Sequence, residues 1–526
     1  MRPLLSVLLL SSITNLHAAR YHVNGAATGS GTGLSWTDAF TNLQDALSVV
    51  IPGDEIWVAA GHYRPTTGTS RTISFNLRNG VNLYGGFAGT ESSVEERDIA
   101  GNPTVLNGDI GEPGTPGDNA HRVVTANNIN THIVLDGFRI MNGYSASGSG
   151  YNGGGLNIQN IQNGSLMVRN CTIVNNYSGT YGGGIYLAAA NLTIENCDLL
   201  SNSAGTGGDG GAIYNGNNNG GYSNLVIRDS RFKNNTGRRG ACLHGGLDFN
   251  SLLIERCRFT ANTAKLSIIE IDGFNNATIS DSYLIGNAVD DSGANILRIQ
   301  TSASDEVLFM TNCTFVQNFN LYANPGSPAI RVYGTHHRIE NSIIHGNTSH
   351  NGSQVSSGMN IFHSIVQGGH ANGTAIVDAD PVFNAPSPST NASFDATLFD
   401  YTLAAGSPAI NTGSNDLVPA TSLVDLAGAP RIQGGTVDMG CYESDLSTTI
   451  ATAAPANARW YHDPTSGLIH LTTGLHGAEN RLFIHDMHGR LVTAARITSD
   501  VFPVALPSGA YIATSAAFGR LKLVVR

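Results

Sequence analysis

Seven segments decide the architecture: LMVRNCTIVNN (166–176), LTIENCDLLSN (192–202), LVIRDSRFKNN (225–235), LLIERCRFTAN (252–262), ATISDSYLIGN (277–287), LFMTNCTFVQN (308–318) and HRIENSIIHGN (337–347). Aligned on their central Cys or Ser (Cys171, Cys197, Ser230, Cys257, Ser282, Cys313, Ser342), each has an Asn five residues later: Asn176, Asn202, Asn235, Asn262, Asn287, Asn318 and Asn347. Seven of seven at one offset is a repeat, not a composition bias. The reference positions are 26, 33, 27, 25, 31 and 29 residues apart, which suits short strands joined by turns that tolerate insertion.

Within each unit the positions −5, −3, 0 and +2 are apolar or small, the period of a strand with one buried face. The alternation skips once between −3 and 0, which marks a bend. A third short strand follows glycine at GGGIY (182–186), GGAIY (210–214), RGACL (239–243) and SGANIL (292–297). Three strands and three turns per unit predict an all-β, right-handed parallel β-helix, a pectate-lyase-like solenoid. Coils about 4.8 Å apart would set each residue over its counterpart. The Asn column then becomes an inward amide ladder, and the Cys column packs as small hydrophobes.

GGAIY with FKNN (232–235), FTAN (259–262) and FVQN (315–318) resembles the paired GGAI and FxxN repeats of polymorphic outer-membrane proteins, which are surface-exposed β-helices. Residues 21–65 (YHVNG, SWTDAFTNLQDAL, PGDEIWVAAGHYRP) resemble the start of secreted β-helix proteins. Leu43 to Val50 there fits a short amphipathic helix, with Thr41 as N-cap, plugging the open end. DADPVF from Asp378, YTLAAGSPAINTG from Tyr401 and DLAGAPRIQGGTVDMGCYE from Asp425 resemble a choice-of-anchor closing segment, whose structural job would be that of a C-terminal cap. NRLFIHDMHGRLV (480–492) reads as a hairpin turning at His488-Gly489, and VALPSGAYIATSAAFGRLKLVVR (504–526) adds two strands. Together they resemble the C-terminal sorting domain of type IX secretion cargo, a small Ig-like β-sandwich. The resemblance implies passage across the outer membrane and removal of the domain.

The expected layout is a signal peptide at 1–19, an N-terminal strand and capping helix at 20–55, the β-helix at 56–377, the closing segment at 378–443, a linker at 444–457 and the sorting domain at 458–526. Arg2, the apolar run Leu4 to Leu10 and the small Ala18 and Ala19 carry the signal-peptide reading. No later segment has membrane-spanning character. Charged residues make up only 13% of the chain against roughly 25% typically, while 63 glycines and many Asn, Ser and Thr supply polarity, as in all-β proteins. A net charge of −11 with no basic stripe argues against nucleic acid as partner.

Six cysteines in an exported chain invite disulfides, but stacked Cβ vectors within one column point the same way, so Cys171, Cys197, Cys242, Cys257, Cys313 and Cys441 are expected free. With no C-x-x-C pair, no metal ligands are assigned. The exposed −2 column (Arg169, Glu195, Arg228, Glu255) and the −1 column (Asn170, Asn196, Asp229, Arg256, Asp281) tend to alternate in sign, which predicts ion-pair ladders rather than a Ca²⁺ site. Asp290-Asp291 reads as a solvated turn, His132 and His336-His337 as wall residues, and Arg238-Arg239 as too small a basic spot for polyanions. Tyr151, Tyr181 and Tyr222 would suit stacking on sugar rings if they share an edge. No catalytic or binding set follows. The leading expectation is a non-catalytic cell-surface or secreted protein for adhesion or contact with glycans or host matrix, with the secretion machinery as the C-terminal domain's partner. The alternative is a polysaccharide lyase or glycoside hydrolase on the same fold, with Ca²⁺ as its cofactor, and it predicts acidic groups and an Arg or Lys converging on one sheet.

Overall fold

A computed structural model describes residues 18–444, apart from short breaks at 147, 149, 217–219, 247–248, 302–305, 324–325, 335 and 349–351, and beyond 459 the strands between Trp460 and Val525. The signal-peptide and linker expectations lie outside the described residues.

The repeat folds into a parallel β-solenoid of about 10 turns. The first sheet takes the −5 to −2 strands, such as Ser223–Arg228, Phe249–Glu255 and Phe274–Ser280. The second takes the short strands after the bend, such as Thr172–Val174, Arg258–Thr260 and Thr314–Val316. The third takes Ile213–Gly216, Leu243–Gly245, Ser267–Asp272, Asn295–Gln300 and Ile330–Tyr333. Equivalent residues pair coil on coil: Ile173, Leu199, Phe232, Phe259, Leu284, Phe315 and Ile344 form one buried inward row of the second sheet.

The bend between first and second strands needs the left-handed region. The −1 residues Asn170, Asn196, Asp229, Arg256, Asp281, Asn312 and Asn341 all have φ between 46 and 52°. Asn and Asp tolerate that conformation best. Arg256 is the exception, and its guanidinium is held by Asp229 at 2.7 Å and Glu255 at 3.0 Å.

The seven asparagines form a single file. Each Nδ2 donates to the next Oδ1, from Asn176 to Asn202 at 3.1 Å through to Asn318 to Asn347 at 2.9 Å. Each Nδ2 also donates to a carbonyl of the preceding coil, and each Oδ1 accepts a backbone N–H as well. Gln354 closes the far end on Asn347 at 2.9 Å. The amide is thus used on every valence, which no other side chain of that size could do.

All six cysteines are free and buried. Those of the reference column do more than fill space. Like the serines that alternate with them, they bond to the carbonyl two residues back, and the column's side chains accept the N–H of the coil before: Cys171 N–H donates to Cys197 Sγ at 3.4 Å, Cys257 N–H to Ser282 Oγ at 2.9 Å and Cys313 N–H to Ser342 Oγ at 3.0 Å. A small side chain with donor and acceptor character is what the bend requires.

At the N-terminal end the helix spans Leu43–Val49 and buries Leu43, Ala46 and Leu47. Its N-cap is Asn42, whose Oδ1 accepts from Gln44 N–H at 2.9 Å, rather than Thr41. Residues 378–444 pack against the side of the solenoid. They fold back as a strap along the second sheet, setting Ala396, Tyr401, Leu403, Ala409, Leu426, Met439 and Cys441 on the outward Tyr283, Ile285, Val316, Ile343 and Ile365. Arg431 anchors the strap, fully buried between Asp281 (3.2 Å) and Glu443. Beyond residue 459, antiparallel strands form a three-stranded sheet (Trp460–Asp463, Leu468–Leu471, Val501–Pro503) and a four-stranded one that includes the expected hairpin, Arg481–Asp486 with Leu491–Arg496. The His488-Gly489 turn is outside the described residues.

Candidate functional site

On the third sheet the inward positions Ile185, Leu187, Ile213, Leu243, Ile269, Ile271, Leu297, Ile299 and Ile330 are buried. Alternation therefore sends Tyr186, Tyr214, His244, Glu270, Arg298 and Arg331 to the outer surface, each paired with the next. Toward the N-terminus the same row continues through Asn157, Thr125 and Asn76. Nine positions at about 4.8 Å per coil make a face roughly 38 Å long.

Three kinds of surface follow one another along it. Asn76 and Thr125, with Gln44, Ser74 and Asn127, line an open cleft of about 600 Å³. The middle is aromatic: Tyr214 stacks on Tyr181 (4.4 Å between ring centroids), on Tyr186 (5.8 Å) and on His244 (5.2 Å). The far end is cationic, with Arg331 at 4.9 Å and Arg298 at 5.7 Å from the exposed Tyr333 ring.

Between the aromatic and cationic parts lies a charged cluster. Asp209 accepts from both Arg238 (2.9 Å) and Arg239 (2.8 Å). Burial works to raise its pKa, but the two guanidiniums hold it below the usual carboxylate range. Glu270 lies 3.8 Å from both Arg239 and Arg298 and accepts from Ser267 Oγ at 2.6 Å. Donor atoms of His244, Glu270 and Asp272 all lie within 4.8 Å of one another. Burial, then Arg239, pushes His244 down to about 4, so its ring is neutral at pH 7. Burial, then Glu270, pushes Asp272 up to about 6. Neither ring nitrogen of His244 has a hydrogen-bond partner, nor does Asp272 Oδ1.

The sequence candidates fall as follows. The −2 and −1 columns form the expected ion pairs in part, with Arg228–Glu255 and Arg256–Asp229 both at 2.7 Å, whereas Arg169 turns to Asp136 at 2.8 Å and Asp281 to Arg431 at 3.2 Å. Asp291 closes a turn by accepting from Gly293 N–H. His132 meets Ser165 Oγ, and buried His337 accepts from Leu308 N–H, while His336 is exposed. Tyr151 and Tyr181 share the entry edge of the third sheet, where Tyr151 stacks on His121 at 4.4 Å. Tyr222 lies at the opposite edge, its carbonyl bonded to Gln162. Arg238-Arg239 proves to be half of the charged cluster. His244, Glu270, Asp272 and Arg298 had not been singled out, since the insertions around the third strands hide their common register.

No protein-family model and no curated protein matches this chain. Similar solved structures include pectate lyase Pel9A (TM-score 0.41, 13% identity, covering 81% of this chain and 96% of that one). A rhamnogalacturonan lyase matches at 0.39 and 12% (72% and 95%), and PfbA, a surface adhesin of Streptococcus pneumoniae, at 0.29 and 11% (67% and 93%). Identities this low speak to the fold alone.

Proposed function

We propose that the chain is an exported β-helix protein that binds an extended, carboxylate-bearing polysaccharide along its third sheet. The observation that carries this reading is the unbroken outward row from Asn76 to Arg331. Its coil spacing is close to the repeat of a sugar chain. Tyrosine faces suit sugar C–H groups, and the planar guanidiniums of Arg298 and Arg331 suit carboxylates. Export and surface delivery rest on the leader at 1–19 and on the likeness of 458–526 to a type IX sorting domain; adhesion or matrix contact is the role such binding would serve.

Electrophoresis of the full chain through gels containing polygalacturonate, alginate or a neutral glucan tests the reading. Retardation by an acidic gel, weakened in Arg298→Gln, Arg331→Gln and Tyr181→Ala, is the expected result. Equal mobility in all gels overturns it.

Cleavage of that polymer is the second reading, and the convergence of Glu270, Asp272 and His244 with two arginines favours it. His244 and Glu270 are only 2% and 1% exposed, however, so neither reaches a sugar proton without rearrangement. Release of reducing ends or unsaturated uronate products on incubation, with and without Ca²⁺, would move catalysis to first place.

A further inference from the structure

We infer that His244, Glu270 and Asp272 form a binding site for a divalent first-row transition-metal ion of the Zn²⁺ type. Strand pairing sets His244 beside Glu270, and Asp272 follows two residues on along the same face. Their donor atoms lie within 4.8 Å of one another. Bonds of about 2.0–2.2 Å put the ligands of such an ion roughly 3–4 Å apart, so the three side chains need only a small closure.

A second observation is independent of the cluster's acidity. His244 is 2% exposed, yet both its ring nitrogens are unpartnered, and Nε2 faces Asp272 Oδ2 across 3.9 Å, too far for a hydrogen bond. A buried polar atom without a partner costs about 1–3 kcal/mol and calls for an explanation. One cation between imidazole and carboxylate satisfies Nε2 of the ring and Asp272 together, while Nδ1 then carries the ring proton. One imidazole with two carboxylates is a borderline donor set, better matched to Zn²⁺ than to Ca²⁺, which prefers oxygen alone. Ser267 Oγ holds Glu270 from behind, as outer-shell partners of metal ligands do.

The surrounding charges set the strength. Asp209, Glu270 and Asp272 face Arg238, Arg239 and Arg298, so the cluster is already balanced and a dication adds to it. The arginines therefore make the site weaker than the same three ligands would be without them. The site does not depend on the polysaccharide reading and is tested without any glycan.

The full chain, stripped with a chelator and dialysed, is titrated calorimetrically with Zn²⁺, and in parallel with Mn²⁺ and Ca²⁺. One Zn²⁺ per chain, at least tenfold weaker in Asp272→Asn and in His244→Gln, and at least tenfold tighter than Ca²⁺, is expected. Circular dichroism and melting show which variants keep the fold, and Asp272→Asn, nearly isosteric, carries the test if His244→Gln does not fold. The proposal is overturned if Zn²⁺ is not bound, if it is taken up only at several weak sites, if Ca²⁺ binds equally well, or if Asp272→Asn binds it as the parent does.

Discussion

Replacing Asn262 with leucine tests the ladder where it is flanked on both sides. Asn262 Oδ1 is the sole acceptor for the N–H of Asn235 (2.9 Å) and for one Nδ2 hydrogen of Asn235 (3.0 Å). Its own Nδ2 supplies bonds to Phe232 O and Asn287 Oδ1, each at 2.9 Å. Leucine fills a similar volume but leaves two buried donors with nothing to bond. At about 1–3 kcal/mol for each orphaned group, the loss is about 2–6 kcal/mol, while the added apolar surface returns little at a site already dry. The control is Asn275→Ala, which removes an exposed amide from the outer ladder, where Nδ2 donates to Asn250 Oδ1 at 3.1 Å. Water replaces that bond, so the change should stay within about 0.5 kcal/mol. Urea unfolding followed by circular dichroism compares the two, and hydrogen exchange at Asn235 reports the orphaned N–H directly. If Asn262→Leu unfolds at the same denaturant concentration as Asn275→Ala, the amide file is a by-product of stacking and contributes nothing to stability.

Arg431→Met leaves Asp281 and Glu443, whose side chains are 0% exposed, without their counter-charge; a buried pair broken from one side costs about 3–5 kcal/mol, so limited proteolysis should release the strap in this variant and not in the parent. Burial raises Glu443 from its ordinary 4.5 to about 7 against the opposing pull of Arg431, and burial likewise raises Asp281, Asp425 and Asp438. Because the folded state holds this proton more tightly than the unfolded one, the contribution is complete below about pH 4.5 and is lost as pH rises through about 7. Melting at pH 8 should then be lower than at pH 5.5, with the gap narrowed in Glu443→Gln; a gap of the opposite sign, or one unchanged by the substitution, refutes the assignment. Burial lifts the thiols of Cys197 and Cys242 well above their ordinary value, so a thiol reagent at pH 8 should find none of the six in the native protein and all of them in denaturant.

What the sequence made legible is whatever repeats. The Asn file and the Cys/Ser column recur at fixed offsets because each must meet its own kind one coil away, and that demand shows in a single chain without any relatives to compare. The third-sheet row is different by nature. Tyr186, Tyr214, His244, Glu270, Arg298 and Arg331 share a register but no single chemistry, and insertions of unequal length separate them, so no offset reveals them as one row. The strap has no period either. Its landing site did leave a trace: one outward row of the second sheet runs Thr172, Asp198, Arg231 and Arg258 and then turns to Tyr283, Thr314, Ile343 and Ile365. A solvent-facing row that turns apolar announces a cover, and the alternation at 283–285 and 314–316 could have been read that way. The N-cap fell one residue from the expected Thr41 because Asn42 is the better acceptor at that position.

The three faces of the solenoid differ in what remains for them to do. On the first sheet, Arg169, Arg228 and Arg338 are paired to nearby carboxylates and outward amides bond in a file through Asn191, Asn224, Asn250 and Asn275. The second sheet is covered by the strap from about Lys233 onward. Both faces have solved the problem of a stacked surface, by complementary neighbours or by burial. The third has not: its row brings together unlike groups and a buried imidazole whose two nitrogens have no hydrogen-bond partner. Stacking like on like is the low-energy choice for such a fold, and this row departs from it from Tyr214 through His244 and Glu270 to Arg298. Local rules are broken where something else is satisfied by breaking them. A ligand that stacks on the tyrosines and meets the arginines, with an ion seated among the side chains beneath, would satisfy this row; with both absent, substitutions of the exposed Tyr181 and Tyr333 should leave stability almost unchanged while abolishing whatever the face holds.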